Sequence, residues 1–170
     1  SYMTAMAYLY PQMKIAYRSM CKAFHYHNYG FPVRGSGWGL IGGLAGGPEG
    51  AAVTEVAEAL SAVTVLGAEI CGGMCSNAVY FGHSDRRAQW AMTLAAAALT
   101  RNTTGMVSCS IYNMYAGPCT EMNLREIAVV TIGSTVMGSY QTWGVTGNHG
   151  TIVNSSSGLD DRFTVSYTHL

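Results

Sequence analysis

Three stretches of this 170-residue chain hold side chains whose types and spacing suit chemistry. The first, residues 42–49, reads GGLAGGPE. Its bare backbone amides can approach an anion or a cofactor closely, although the same glycines also serve a tight turn. The second, residues 82–87, holds His83, Asp85, Arg86 and Arg87. One arginine there can hold a carboxylate or a partner surface, while the other reads as a solvated helix start. His83, beside the helix-capping Ser84, reads more simply as structural. The third, residues 111–121, offers Tyr112, Asn113 and Tyr115 as hydrogen-bonding groups. Cys119 falls where a helix begins, a position that lowers a thiol pKa, but no neighbour in sequence supplies a base. Glu121 can satisfy the free amides of that helix start.

Secondary structure has to bring these stretches together. Residues 9–29 suit a helix after Pro11, with Ile15, Met20 and Phe24 as an apolar stripe and Lys14, Arg18 and Lys22 on another face. Gly30 and Pro32 end it. The glycine-rich segment that follows is poor helix material, and GLIGGLA reads as a short strand feeding a tight loop. Pro48 and Glu49 open a second helix whose apolar face is Val53, Val56, Leu60 and Val63. Residues 78–82, AVYFG, look like a strand, and Ser84 caps an alanine-rich third helix. Residues 105–112 read as another strand. Pro118 takes the first turn of a fourth helix running to about Met137. Residues 143–163 look like loop, short strand and polar turn.

Helix and strand thus alternate with a period of about 35–40 residues, the pattern of parallel strands covered by helices. The fold class is α/β, a partial (β/α)8 TIM barrel with open edge strands. In such a barrel the loops that follow the strands meet at one rim, which is where residues 42–49, 82–87 and 111–121 fall. GSGWG follows the first helix too closely to be a dinucleotide fingerprint.

Composition removes several function classes. Hydrophobic residues make up 49% and charged residues 11%, against about 25% in an ordinary soluble domain. Nine basic and nine acidic residues cancel, and Arg86–Arg87 is the one adjacent basic pair, so nucleic-acid binding is disfavoured. WAMTLAAAALT is too short for a membrane span. The N-terminus has no basic leader and reads as a chain cut inside a longer one. So little charge suits a piece of a larger protein or an obligate assembly. Cys21, Cys71, Cys75, Cys109 and Cys119 are an odd set that favours a reducing cytoplasm and buried thiols. Three residues separate Cys71 from Cys75, not the two of common zinc sites, so no metal is expected. The triplets at Asn102 and Asn154 read as chance glycosylation matches.

AGPCTEM, residues 116–122, resembles the monomethylamine:corrinoid methyltransferases, the pyrrolysine-containing family of methylotrophic methanogens. His25–Tyr26, the GG-AGG-E pattern of residues 42–49, Gly82, Arg87 and the glycine spacing from Gly144 to Arg162 fall in the same register, over residues 14–163. The resemblance implies the C-terminal part of a TIM barrel that assembles as a homo-oligomer. It implies methyl transfer from a small methylated amine to the cobalt of a corrinoid that a partner protein carries, with no cofactor held tightly by this chain. The defining pyrrolysine would lie upstream. Ser36 and Ile111 stand where the family has a glutamate and a glutamine beside the pyrrolysine ring. Glu49, Arg87 and Glu121 are the polar matches retained, as residues that support the cavity.

The expected organisation is therefore an incomplete barrel domain over residues 1–163, with residues 164–170, which end in VSYTHL, a tail of foreign character. The expected setting is the cytoplasm. The competing readings are a non-catalytic oligomerisation fragment and another TIM-barrel transferase or lyase.

Overall fold

The computed structural model describes residues 5–10, 14–77, 86–102, 107–138, 141–147 and 156–168. The first departure from expectation comes at the N-terminus. Residues 9–29 do not form one helix. Strand β1 (Ala5–Tyr10) comes first, then a two-residue strand β2 (Lys14–Ile15), then helix α1 (Tyr17–Asn28). The segment AMAYLY alternates small and bulky residues and suits a strand. Pro11, which has no N–H, follows its last residue. β1 and β2 pair antiparallel through Leu9↔Ile15 and Tyr10↔Lys14. Within α1 the buried residue is Ala23, with Met20 and Tyr26 packed near it. Phe24, expected on the inner stripe, is exposed, and Ile15 belongs to β2.

The next strand, β3 (Val33–Ile41), includes the whole GSGWG segment. It leads into α2 (Pro48–Leu66), which starts at the expected Pro48. Strand β4 (Ile70–Asn77) comes next, and residues 78–85, including the expected AVYFG strand, His83 and the Ser84 cap, lie outside the described set. Helix α3 (Arg86–Asn102), strand β5 (Val107–Asn113), helix α4 (Glu121–Val136) and strand β6 (Gln141–Thr146) follow. The chain then forms α5 (Gly158–Thr168) where a polar turn was expected, and this helix runs through the expected boundary at 163/164. The sheet has six strands in the order β2-β1-β3-β4-β5-β6. The pairings β1–β3, β3–β4, β4–β5 and β5–β6 are all parallel. Parallel neighbours joined through helices are a partial α/β barrel.

Small residues set the distance between α2 and the sheet. A Cβ built on Gly35 would overlap Ala62 Cβ, and one on Gly39 would come 2.8 Å from the carbonyl oxygen of Ala51. Neither position tolerates a side chain without a shift of the helix. The same closeness decides which face of α2 turns inward. The buried residues are Ala51, Ala52, Glu55, Glu58, Ala59, Ala62 and Leu66. The expected apolar face is turned away: Val53 is 69% and Leu60 44% exposed, while Val56 and Val63 pack at its margin. Bulky β-branched side chains do not fit against a glycine-bearing strand, so alanines occupy the contact. The main core joins Ile41, Ala51 and Ala52 to Ala88, Ala91, Met92 and Ala95 of α3, and to Met114, Ile127 and Val130.

This packing predicts that Gly35→Val destabilises the fold by about 1–3 kcal/mol through overpacking. The urea midpoint measures it, and Ala62→Gly in the same chain should recover part of the loss, because the two positions share one contact.

Candidate functional site

Parallel pairing sends the C-terminal ends of β3, β4, β5 and β6 to one edge of the sheet. The loops that follow β3, β5 and β6 leave from that edge, and the N-termini of α2, α4 and α5 begin beside it. Helix N-termini carry partial positive charge and unpaired amides, so this rim favours acceptors and negative groups.

The loop between β5 and α4 is the best-defined part of the rim. Met114 anchors it in the core, fully buried. The carboxylate of Glu126, one turn inside α4, accepts the amides of Tyr115 (2.9 Å) and Ala116 (3.2 Å) at Oε2. Thr120 is the N-cap: its Oγ1 accepts from the Asn123 amide at 3.1 Å and donates to the Gly117 carbonyl at 2.8 Å. α4 therefore starts at Glu121, and Pro118 stays in the loop. Cys119, just before the cap, has φ +61°, a left-handed conformation that non-glycine residues adopt rarely.

A second helix start is stitched to the first. Ser157 precedes α5, and its hydroxyl both accepts from the Asp160 amide (3.2 Å) and donates to Asp160 Oδ2 (2.6 Å). Asp160 Oδ1 faces the other way. It accepts from Asn123 Nδ2 at 2.9 Å and, at a longer 3.4 Å, from the Cys119 amide. Asn123 and Asp160 are both fully buried, and each is the third residue of its helix. Gly147, at the end of β6, closes the contact from below: a Cβ there would lie 2.8 Å from the Ala116 carbonyl and 2.9 Å from the Pro118 nitrogen. The loop after β5 thus touches the end of β6 at Gly147 along the backbone.

Glu49, Arg87 and Glu121 each sit in the first turn of a helix but do not gather in one described cavity. Glu49 is exposed in the first turn of α2 and borders a groove of about 550 Å³ between α2 and α3. Arg87 is exposed in the first turn of α3 and borders a groove of about 720 Å³ between α3 and α4. Glu121 opens α4, is 79% exposed and pairs with Arg125 on the same helix. His83 and Asp85 lie outside the described residues. Ser36 sits on β3 between Tyr8 and Gly72, and Ile111 falls at an irregularity of the β5–β6 ladder. The expectation of buried thiols holds for Cys71, whose Sγ donates to the Ala59 carbonyl, but Cys21 and Cys119 are exposed. The Cys21 thiol hydrogen-bonds Tyr17 and raises its phenol pKa above the usual value. No cluster of three or more metal-ligating side chains occurs among the described residues.

Asn123, Glu126, Ser157 and Asp160 were missed by reading the sequence for reactive groups. The signal for three of them is local: Ser157 and Asp160 stand three apart, as in a capping box, and Thr120 and Asn123 repeat that spacing.

Comparison with known proteins gives one consistent result. A family model described as "Monomethylamine methyltransferase MtmB" matches residues 9–169. Monomethylamine methyltransferase MtmB2 of Methanosarcina barkeri (strain Fusaro / DSM 804) is 26% identical over 153 residues, 89% of this chain and 33% of the relative. MtmB of Methanosarcina mazei shows the same identity and coverage. The crystal structure of Methanosarcina barkeri MtmB superposes with a TM-score of 0.90 at 23% identity, covering 97% of this chain and 36% of that one. The chain spans about a third of the length of the curated relatives it matches.

The Glu126 contacts generate a direct test. Glu126→Ala removes one carboxylate from two backbone amides and should cost about 1.5–3 kcal/mol in a denaturant titration. Glu126→Gln keeps an acceptor of the same shape and should cost less than half as much.

Proposed function

Because the chain belongs to the monomethylamine methyltransferase MtmB family, we propose that it supplies part of the barrel of an enzyme that moves a methyl group from a small methylated amine to the cobalt of a corrinoid. The observation that carries this reading is the loop containing AGPCTEM. It leaves β5 at the rim and is tied to both α4 and α5. In barrels of this kind the chemistry belongs to the loops after the strands.

The reaction asks two things of such a rim. The departing amine needs a proton, and water and other nucleophiles must be kept from the methyl group. The rim must also be open to a large methyl acceptor. The corrinoid is the acceptor and travels on a partner protein, so no tightly held cofactor is assigned to this chain. Glu49, Arg87 and Glu121 are proposed as charges that support the cavity at the rim, not as groups that transfer the methyl alone. Their exposure at the starts of three successive helices supports a role facing the partner. We place the protein in the cytoplasm; the exposed free thiols of Cys21 and Cys119 suit a reducing compartment. No helix among the described residues is long and apolar enough to cross a membrane.

Assembly with further copies is a second part of the proposal. The outer faces of the helices expose Val53, Trp90, Val129, Ile132 and Val136. So large an apolar display on a chain this poor in charge suits burial against a partner subunit.

The decisive experiment uses the complete protein that contains these residues, with its cognate corrinoid protein reduced to Co(I). Monomethylamine should drive methylation of the cobalt, read from the visible spectrum; no transfer from mono-, di- or trimethylamine rejects the substrate. In the same assay Arg87→Ala should raise the KM for the corrinoid protein by about three- to tenfold, with kcat within about twofold, as expected for a rim charge.

A further inference from the structure

The carboxylate of Asp160 does more than its own helix requires. A cap for α5 is already complete in the Ser157 hydroxyl, which accepts the Asp160 amide. Yet the Asp160 side chain reaches out of α5 to two groups 37 and 41 residues earlier in the chain, Asn123 Nδ2 and the Cys119 amide. It does so while fully buried, and Thr164 fixes its backbone by donating to the Asp160 carbonyl at 2.9 Å. A buried carboxylate with unfilled acceptor positions is costly, so this geometry persists only while all its donors are in place. Independently, Gly147 brings the backbone after β6 against Ala116 and Pro118 with no room for a side chain.

From these contacts we infer that Asp160 is a positioning residue, which fastens the loop after β5 to the start of α5 so that this loop and that helix start form one fixed wall of the rim. The bond to the Cys119 amide falls on the one described non-glycine residue with a positive φ, so the loop's least favourable backbone conformation is the point that is tied down. Glu126 holds the other half of the same loop through Tyr115 and Ala116, from within α4. The difference between the two carboxylates is what they connect. Glu126 ties the loop to the helix it leads into, whereas Asp160 ties it to the following βα unit.

The link to catalysis rests on the methyltransferase reading; the link to loop order does not, and the test separates them. Asp160→Ala and Asp160→Asn would be made in the complete protein that contains these residues. Hydrogen exchange is read over residues 115–123 and over β4, and kcat and KM are read with methylamine and the corrinoid partner. Asp160→Ala should speed exchange at least about tenfold in residues 115–123 and leave β4 unchanged, because the opening is local. It should lower kcat at least about tenfold with KM for the amine within about threefold, as loss of positioning does. Asp160→Asn keeps an oxygen for Asn123 and Cys119 and should stay within about threefold of the parent in both readouts. Equal acceleration in the loop and in β4 overturns the inference, because the residue is then only structural. Unchanged loop exchange overturns it, as does a loosened loop with unchanged kcat, or an asparagine variant as damaged as the alanine one. If the parent protein transfers no methyl group, the functional reading fails, and the exchange data alone still decide whether Asp160 fastens the loop to α5.

Discussion

The contact between α2 and β3 is the constraint from which most of this molecule follows. Gly35 and Gly39 present bare backbone to Ala62 and Ala51, so helix and strand approach more closely than larger residues allow. Close approach leaves room for alanine and little else. That is why the buried face of α2 is mostly alanine, with Glu55 and Glu58 buried among them, and why Val53, Leu60 and Val65 turn outward. The same economy continues in α3, where Ala88, Ala91, Ala95 and Ala96 are buried while Trp90 and Leu94 are exposed. A layer built this way places its bulk on the outside. Its inner surface serves mainly to hold the helices at a fixed height above the strands, with their N-termini level with the rim.

From that arrangement the rim acquires its properties. Parallel strands deliver successive loops to one edge, and each loop hands over to a helix whose first amides lack partners. At α4 and α5 the molecule meets this need with two short polar motifs, Thr120–Asn123 and Ser157–Asp160. It then joins the motifs to each other through Asn123 and Asp160. Local capping by Thr120 and Ser157 and tertiary positioning by Asn123 and Asp160 thus share two short motifs. A chain with few charges achieves this order with buried polar groups at short range, where a low dielectric makes each hydrogen bond count.

The alternation of strand and helix was legible because Pro48, the alanine-rich run after Arg87 and the strand-like 105–112 are strong local signals. The fold class followed from their order, and AGPCTEM pointed to the family. What misled was glycine. In β3 its low strand propensity concealed a nine-residue strand, because its purpose there is clearance for a helix and not local preference. Valine misled in α2 for the complementary reason: periodicity marks an apolar face, but it does not say which face the strand can accept. At the N-terminus, Lys14 and Ile15 share a helical spacing with the residues that follow, yet they pair with β1 as β2, and α1 starts only at Tyr17. The fastening residues were hidden because their partners are distant in sequence; a capping pattern announces a helix start, not the neighbour that Asp160 reaches.

The sheet order ends at β6, whose one neighbour among the described residues is β5. A terminal strand of this kind offers a row of backbone donors and acceptors to any extended segment nearby. Where nothing else pairs with β6, that row is available to a second copy, and association through Gln141–Thr146 competes with folding. How much of the material stays monodisperse would then depend on what lies over that strand, not on the quality of the core beneath it.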